Sequence, residues 1–352
     1  MTPRGHRRGE RGVALVLVVW MFMVLGILAL DFAEYIRDDA QAEANFKEET
    51  YGYYLALAGM NKVIFETQQA RELGASGTDD QEENLPPDLD DEELHVQPAD
   101  GQWHEGEFGG GKYAVRMTDE GAKLAINRIS DVVLTEVLTN LLRGGNRTKG
   151  VSKREADDIA ELVDAILDWR DADDLKRMHG VEKEYYLSLP QPYTTKDGFF
   201  DSPEELLLVR GITADLVYGT EGRPGLRDVF SVYSKSTNVN TRTVTAGVLQ
   251  ALLGVDQAEA EELLLLRDSD GESFQVQLQA LAGNLSPEMA GVFVDQEPAV
   301  VLMEARADVG RERNQSRVAA VVDLTSELAD GAKIVRWMDR APWAGLLPGA
   351  ES

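Results

Sequence analysis

Whatever this chain folds into must dispose of one segment, Val13 to Leu30, a run of eighteen residues without a charge. As a helix rising ~1.5 Å per residue it spans about 27 Å, close to the ~30 Å hydrocarbon core of a bilayer. Arg4, Arg7, Arg8 and Arg11 precede it, and Asp31 and Glu34 follow. That asymmetry orients the leader toward the cytoplasm and everything beyond Leu30 away from it. Val13, Leu17, Trp20 and Leu30 mark the membrane-embedded length, and the remainder reads as a tethered extracytoplasmic body.

Three readings of this start compete. A secretory signal peptide has an apolar core of about 7–15 residues and a small-residue exit. Here the run is longer and flows into Asp31-Phe32-Ala33-Glu34-Tyr35-Ile36-Arg37 with no such exit. A plain signal anchor is the second reading. The third places cleavage between Gly12 and Val13, so that the apolar helix stays in the mature protein.

Composition narrows the function classes. There are 35 basic and 62 acidic residues, a net charge of −27, and much of the positive excess lies in the leader. Such a surface lacks the clustered Lys and Arg that hold a phosphate backbone, and it stays off anionic membranes. It suits a self-repelling soluble body or one that takes up divalent cations. With no cysteine, disulfides, thiol catalysis and thiolate metal sites are excluded.

Beyond the membrane run, Phe32, Ile36, Phe46, Tyr54, Leu57, Ala58, Ile64 and Phe65 recur at helical spacing, predicting one helix from Val13 to about Arg71 with its aromatics packed on the body. Gly74-Ala75-Ser76-Gly77 ends it, and an acidic loop through Asp79 to Glu93 follows, solvated by its composition. Gln102 to Thr118 reads as a hairpin turning on Gly109-Gly110-Gly111. That triplet is no phosphate loop, because Gly-Lys-Ser/Thr and a following helix are missing. From Glu120 to about Ser286 the period is helical, with one stripe of Leu134, Leu138, Leu141 and Leu142 and another of Ile159, Leu162, Val163, Ile166 and Leu167. Strand alternation returns at Val300–Ala307, Val318–Leu324 and Lys333–Trp337. The economical fold class is α+β, a sheet interrupted by an inserted helical domain.

The densest motif region runs Asp164-Ala165-Ile166-Leu167-Asp168-Trp169-Arg170-Asp171-Ala172-Asp173-Asp174, then Gly180-Val181-Glu182, Tyr185-Tyr186, Pro192-Tyr193, Glu204-Glu205-Leu206 and Val209-Arg210-Gly211-Ile212. In this order, and together with Asn238-Val239-Asn240-Thr241, Val248-Leu249-Gln250-Ala251-Leu252 and a terminal Val335-Arg336-Trp337, the sequence resembles the minor pseudopilin K family of type II secretion systems. The basic leader, Gly12 and the apolar run likewise resemble a prepilin N-terminus. Two departures from pilins in general are Val13, where Phe is usual, and Leu17, where most carry Glu. A carboxylate inside the bilayer without its partner costs several kcal/mol, so a subunit with no neighbour ahead of it does better without one, and the K family resembles this chain in lacking it.

The resemblance implies a pseudopilin fold. Residues 1–12 would be the prepilin leader and 13–30 the transmembrane part of a long helix. Residues 31–118 would hold the rest of that helix, the acidic loop and the first strands. An all-α insertion of two SAM-like subdomains would fill 119–286, and 287–352 would complete a small antiparallel sheet. It also implies a subunit at the pseudopilus tip, trimmed after Gly12 by a prepilin peptidase and N-methylated on Val13. Such a subunit sits in the bacterial inner membrane with its body in the periplasm. Its implied partners are the minor pseudopilins I and J, the major pseudopilin, the inner-membrane assembly platform and secreted exoproteins. Family members bind calcium in the helical domain, which implies Asp168, Asp171, Asp173 and Glu182 as ligands, with Asp174 and Glu184 in reserve. Hard cations take six to eight oxygens, and alternating Asp residues completed by a later carboxylate supply several. Where the family often has Glu-Asp, this chain has Glu182-Lys183, which removes one oxygen donor and adds a positive charge. The competing reading is a solvated acidic turn with an Asp capping the next helix.

Asn238 to Thr241 before a Leu-rich helix is also the look of a helix-hairpin-helix DNA module, but Glu259, Glu261 and Glu262 stand where basic residues are needed. His6, His95, His104 and His179 form no metal or triad spacing. The expectation is no enzyme, no catalytic residues and no nucleic-acid partner. The alternatives are a signal-anchored binding protein outside any pilus and a periplasmic hydrolase using acidic residues.

Overall fold

In the computed structural model, residues 10–75, 97–144, 150–283, 285–308, 315–325 and 332–339 are described. Helix α1 (Glu10–Ala75) runs 66 residues, about 100 Å at the α-helical rise. It contains a stretch long and apolar enough to cross a membrane, none of it buried. The backbone of Gly12 and Val13 lies within α1. The acidic loop from Asp79 to Glu93 and residues 340–352 fall outside the described residues.

The second half of α1 packs on a sheet, but not through the aromatics that the periodicity singled out. Phe46, Tyr54 and Phe65 are all more than 60% exposed, and Phe32 and Ile36 are exposed too. Leu55, Ala56, Met60 and Val63 are buried instead, with Gly52, Gly59 and Thr67 along the same flank. The cause is the closeness of the contact. A Cβ added at Gly59 would come 2.3 Å from the Tyr113 ring, so only small or slender side chains fit that face and the rings turn away.

The strands are β1 (Asp100–Phe108), β2 (Gly111–Asp119), β3 (Leu124–Ala125), β4 (Phe230–Ser231), β5 (Val239–Asn240), β6 (Phe293–Val294), β7 (Val300–Asp308), β8 (Gln315–Asp323) and β9 (Lys333–Asp339). β1 and β2 form the expected hairpin. Gly109 and Gly110 make its two-residue turn with φ of 58° and 81°, a left-handed pair that glycine adopts without steric cost. The main sheet is antiparallel with order β1-β2-β7-β8-β9. β2 therefore lies beside β7, and the chain between Asp119 and Val300 is an excursion that starts and ends on neighbouring strands. Val115 faces Ala305 across this junction. Tyr113, Val115, Met117, Met303, Ala305, Val318, Ala320 and Val322 point to α1 and close one core.

The excursion carries α2 (Asp131–Arg143), α3 (Lys153–Arg170), α4 (Lys183–Leu187), α5 (Ala214–Tyr218), α6 (Leu226–Val229), α7 (Ala246–Leu253), α8 (Gln257–Ser269), α9 (Gly271–Ala282) and α10 (Pro287–Ala290). Local chemistry sets their ends. Ser152 and Glu155 form a capping box at the start of α3, and Asp256 and Glu259 do so for α8. Leu134, Leu138, Ile166, Trp169, Tyr186, Leu252 and Phe274 belong to a second core of its own. Two details differ from the sequence reading. Leu142 is exposed rather than part of the α2 stripe, since the stripe drifts around the helix and Leu141 already fills the inward position. The stretch also contains strand pairings, parallel β3–β4 and β5–β6, each too short to carry a period in sequence.

Polar side chains fasten the helical body to the sheet. The buried Asp119 carboxylate accepts from Gly121 N at 2.7 Å, Asn240 Nδ2 at 2.7 Å and Thr243 Oγ1 at 2.6 Å. Asn240, singled out above beside a DNA-module look-alike, is thus wholly buried and spent on this junction. Lys235 pairs with Asp323, and Arg336 donates to the Asp201 carbonyl and to the Tyr233 hydroxyl.

Candidate functional site

The motif region folds into one spot at the C-terminal end of α3. Trp169 is buried with Tyr186 edge-on at 5.3 Å, and Tyr186 sits 5.2 Å from both Tyr185 and Tyr193. The indole donates to Glu205 Oε1 at 3.0 Å, while Glu205 Oε2 accepts from Lys196 at 2.8 Å and from Asp201 N at 2.9 Å. Tyr193 donates to the Leu208 carbonyl. The paired tyrosines, Pro-x-Tyr and Glu-Glu-Leu are therefore neighbours because each fills or satisfies the same aromatic core. Burial pushes the Tyr186 hydroxyl up to about 12.

Over this core the chain turns back on α3. Asp168, fully buried, accepts from the Arg177 backbone N–H with both oxygens at 3.3 Å, and Asp164 accepts from His179 N at 2.9 Å. Gly180 then passes so close that a Cβ there would lie 1.9 Å from Asp168 Oδ2. That contact is the physical reason for a glycine two residues before Glu182.

The carboxylates gathered here are short of partners. Both Glu182 oxygens, Asp171 Oδ1 and Asp197 Oδ1 are buried atoms without a hydrogen bond, as is Thr195 Oγ1. Burial pushes Glu182 up to about 7, reinforced by repulsion from Asp168, Asp171, Asp197 and Asp174. Burial likewise raises Asp168 to about 6 against the Arg177 N–H that favours its charge, and it raises Asp171, with Asp173 adding repulsion. Arg177 is the cation that reaches in, its Nε 3.5 Å from Asp168 Oδ1 and its Nη2 3.9 Å from Asp171 Oδ2. Arg170 is engaged elsewhere, on the carbonyls of Ile126 and Ile129.

Of the four ligands implied by resemblance, Asp168, Asp171 and Glu182 share this pocket of unsatisfied charge. Asp173 is exposed and accepts from Leu175 N at 2.8 Å, and Asp174 and Glu184 are exposed as well. Among the described residues, no three carboxylate or imidazole side chains converge closely enough to grip one ion as they lie. The donor chemistry nevertheless fits a hard cation, since the orphaned atoms of Glu182, Asp171 and Asp197 are all carboxylate oxygens. Sequence reading missed Asp197, whose charge acts on Glu182. Asp197 has φ of 50°, and among the described residues it is the non-glycine with positive φ. An Asp before Gly198 favours that left-handed turn, a signal the sequence did contain. Backbone held in such a conformation away from glycine clusters at functional sites.

Comparison with known proteins finds likenesses to one family. The profile of a family described as "Type II secretion system (T2SS), protein K" matches residues 135–219, the stretch that holds this site. The type II secretion system protein K of Pseudomonas aeruginosa is 24% identical over 277 residues, 75% of this chain and 74% of that protein. The protein of the same description from Aeromonas hydrophila is 42% identical over a local 60 residues, 17% of this chain and 18% of the relative. Among solved structures, a chain of the GspK-GspI-GspJ complex of the enterotoxigenic Escherichia coli type 2 secretion system aligns with a TM-score of 0.55 at 14% identity. That alignment covers 86% of this chain and 99% of the other, a likeness of fold.

Proposed function

We propose that the chain is a member of the type II secretion system protein K family, to which its helical stretch and its overall fold are similar, and that it is the minor pseudopilin that starts and crowns a periplasmic pseudopilus. The observation that carries the reading is the division of α1. Its first part is a bare apolar rod, and its second part is clamped to the sheet through Leu55, Gly59, Met60 and Val63. One helix thus joins a membrane span rigidly to an acidic body, which is what a subunit stacked by its helix and displayed by its body requires. The helical excursion between β2 and β7 adds a second core of its own, a bulk that suits the end of a filament better than its shaft. Leu17 in place of an acidic residue suits a subunit with no neighbour ahead. Its role is mechanical and recognitive rather than catalytic: to prime assembly with pseudopilins I and J and to support export of folded proteins.

Within this reading the carboxylate pocket is a calcium site. Asp168, Asp171 and Glu182 would hold the ion, joined by Asp197, whose charge acts on Glu182. Calcium would supply the positive charge that the orphaned oxygens lack, tying the turn after α3 to the 195–197 segment. The test is purification of the full-length chain from detergent-solubilised membranes with and without calcium. Co-elution with the pseudopilins I and J is expected, together with an N-terminus at Val13 that is lost on Gly12→Trp. A native N-terminus beyond Leu30, or elution free of both partners, would refute the proposal.

A further inference from the structure

Arg177 stands among carboxylates that would have to converge on an ion, and it stands there imperfectly. Its guanidinium contacts to Asp168 and Asp171, at 3.5 and 3.9 Å, are those of a charge neighbour rather than of hydrogen bonds. Its backbone N–H, by contrast, is fixed on Asp168. The side chain is partly exposed and sits on a turn whose neighbours Leu175 and Met178 are among the barest apolar residues of the body. The side chain is 42% exposed, and among the described residues no hydrogen bond holds its fork, so it can leave at small cost in packing. Meanwhile Asp171 Oδ1 and both oxygens of Glu182 remain unpartnered, with Glu182 near enough to Asp168 and Asp171 for their charges to repel it.

We infer that Arg177 is the resident counter-ion of this pocket, and that a divalent cation displaces its guanidinium when it enters. The inference rests on the cation reading given above. Two positive charges cannot share Asp168 and Asp171 at contact distance without repulsion on the scale of the attraction each gains. The ion brings two charges and isotropic coordination to oxygens that the guanidinium reaches only from one side. Displacement would free Arg177 to swing outward while its N–H stays on Asp168. The charged side chain would then lie beside Leu175 and Met178, so that loading changes the outer surface of the 171–179 turn and not only its interior.

The experiment is a calcium titration of the full-length chain in detergent by calorimetry, with thermal unfolding in parallel, for the wild type, Arg177→Ala and Arg177→Lys. Competition predicts that Arg177→Ala binds calcium more tightly, roughly five-fold, the scale of one partly exposed ion pair. In the chelator it should unfold at a lower temperature than the wild type. Arg177→Lys keeps the charge and should bind close to wild type, which separates the charge from the loss of side-chain packing. If Arg177→Ala binds with unchanged or weaker affinity while the wild type binds, Arg177 is a bystander or a part of the cradle, and the inference falls alone. If the wild type itself shows no calcium-dependent heat or stabilisation, the cation reading falls and takes the inference with it.

Discussion

Asp168 and Glu182 are carboxyls that the fold discourages from ionising, and this has a sign. Unfolded, both titrate near ~4; folded, Asp168 is raised to about 6 and Glu182 to about 7. The native state therefore holds protons that the unfolded chain has released. Their stabilising effect is full below about pH 4 and drains away as pH rises through 6 and 7. In a chelator, the thermal midpoint should fall between pH 5 and pH 8. With saturating calcium, which binds the ionised carboxylates, the fall should vanish or reverse. A chelated midpoint that climbs over this range would contradict the raised values. Asp119 makes a separate test. Removing its carboxylate as Asp119→Ala strands the Asn240 amide and the Thr243 hydroxyl at the junction. The expected loss is about 2–3 kcal/mol in a urea unfolding midpoint, with the secondary structure kept. The family resemblance implied Asp168, Asp171, Asp173 and Glu182 as one set; the structure brings Asp168, Asp171 and Glu182 within reach of one another's charge and leaves Asp173 exposed. The sequence did not show Asp197, because its nearness to Glu182 is made by the aromatic core that folds residues 193–205 back onto Trp169.

Strand alternation and the glycine turn located β1, β2, β7, β8 and β9 to within a few residues, because a half-buried strand writes its period into side-chain polarity. The helix α1 was legible in extent and not in facing. Its aromatics at helical spacing looked like a core stripe, yet the sheet accepts only the flank containing Gly59, and that depends on Tyr113, more than fifty residues away in sequence. Gly59→Val should expose the dependence. Two methyls and a Cβ forced against the Tyr113 ring should cost about 1–3 kcal/mol and loosen α1 from the sheet. Faster proteolysis within residues 46–70 would report it, and a Tyr113→Ala second change should restore part of the loss. If Gly59→Val resists protease like the wild type, the close contact is not what seats the helix. The short β3–β4 and β5–β6 pairings had no sequence signature, as two residues cannot alternate.

The chain as a unit has two cores, of which one closes within the sheet and α1 while the other closes within the excursion from Asp119 to Val300. Because β2 and β7 are partners, that excursion also has a consequence in time. Pairing Asp119 with Val301 before anything between them is ordered means closing a loop of about 180 residues, at an entropic cost of roughly 4–5 kcal/mol. Once the helices have condensed, their two exits already lie side by side and the same pairing joins near neighbours. The seam between the hairpin and β7 should therefore be the last part of the body to zip, and contact across it the slow step. Pulse-labelling hydrogen exchange during refolding in detergent should find amides of α2, α3 and α7 protected before those of Val115 and Ala305. Newly exported chains would pass through an interval in which the crown is already built while the strands that seat it on the rod are still open.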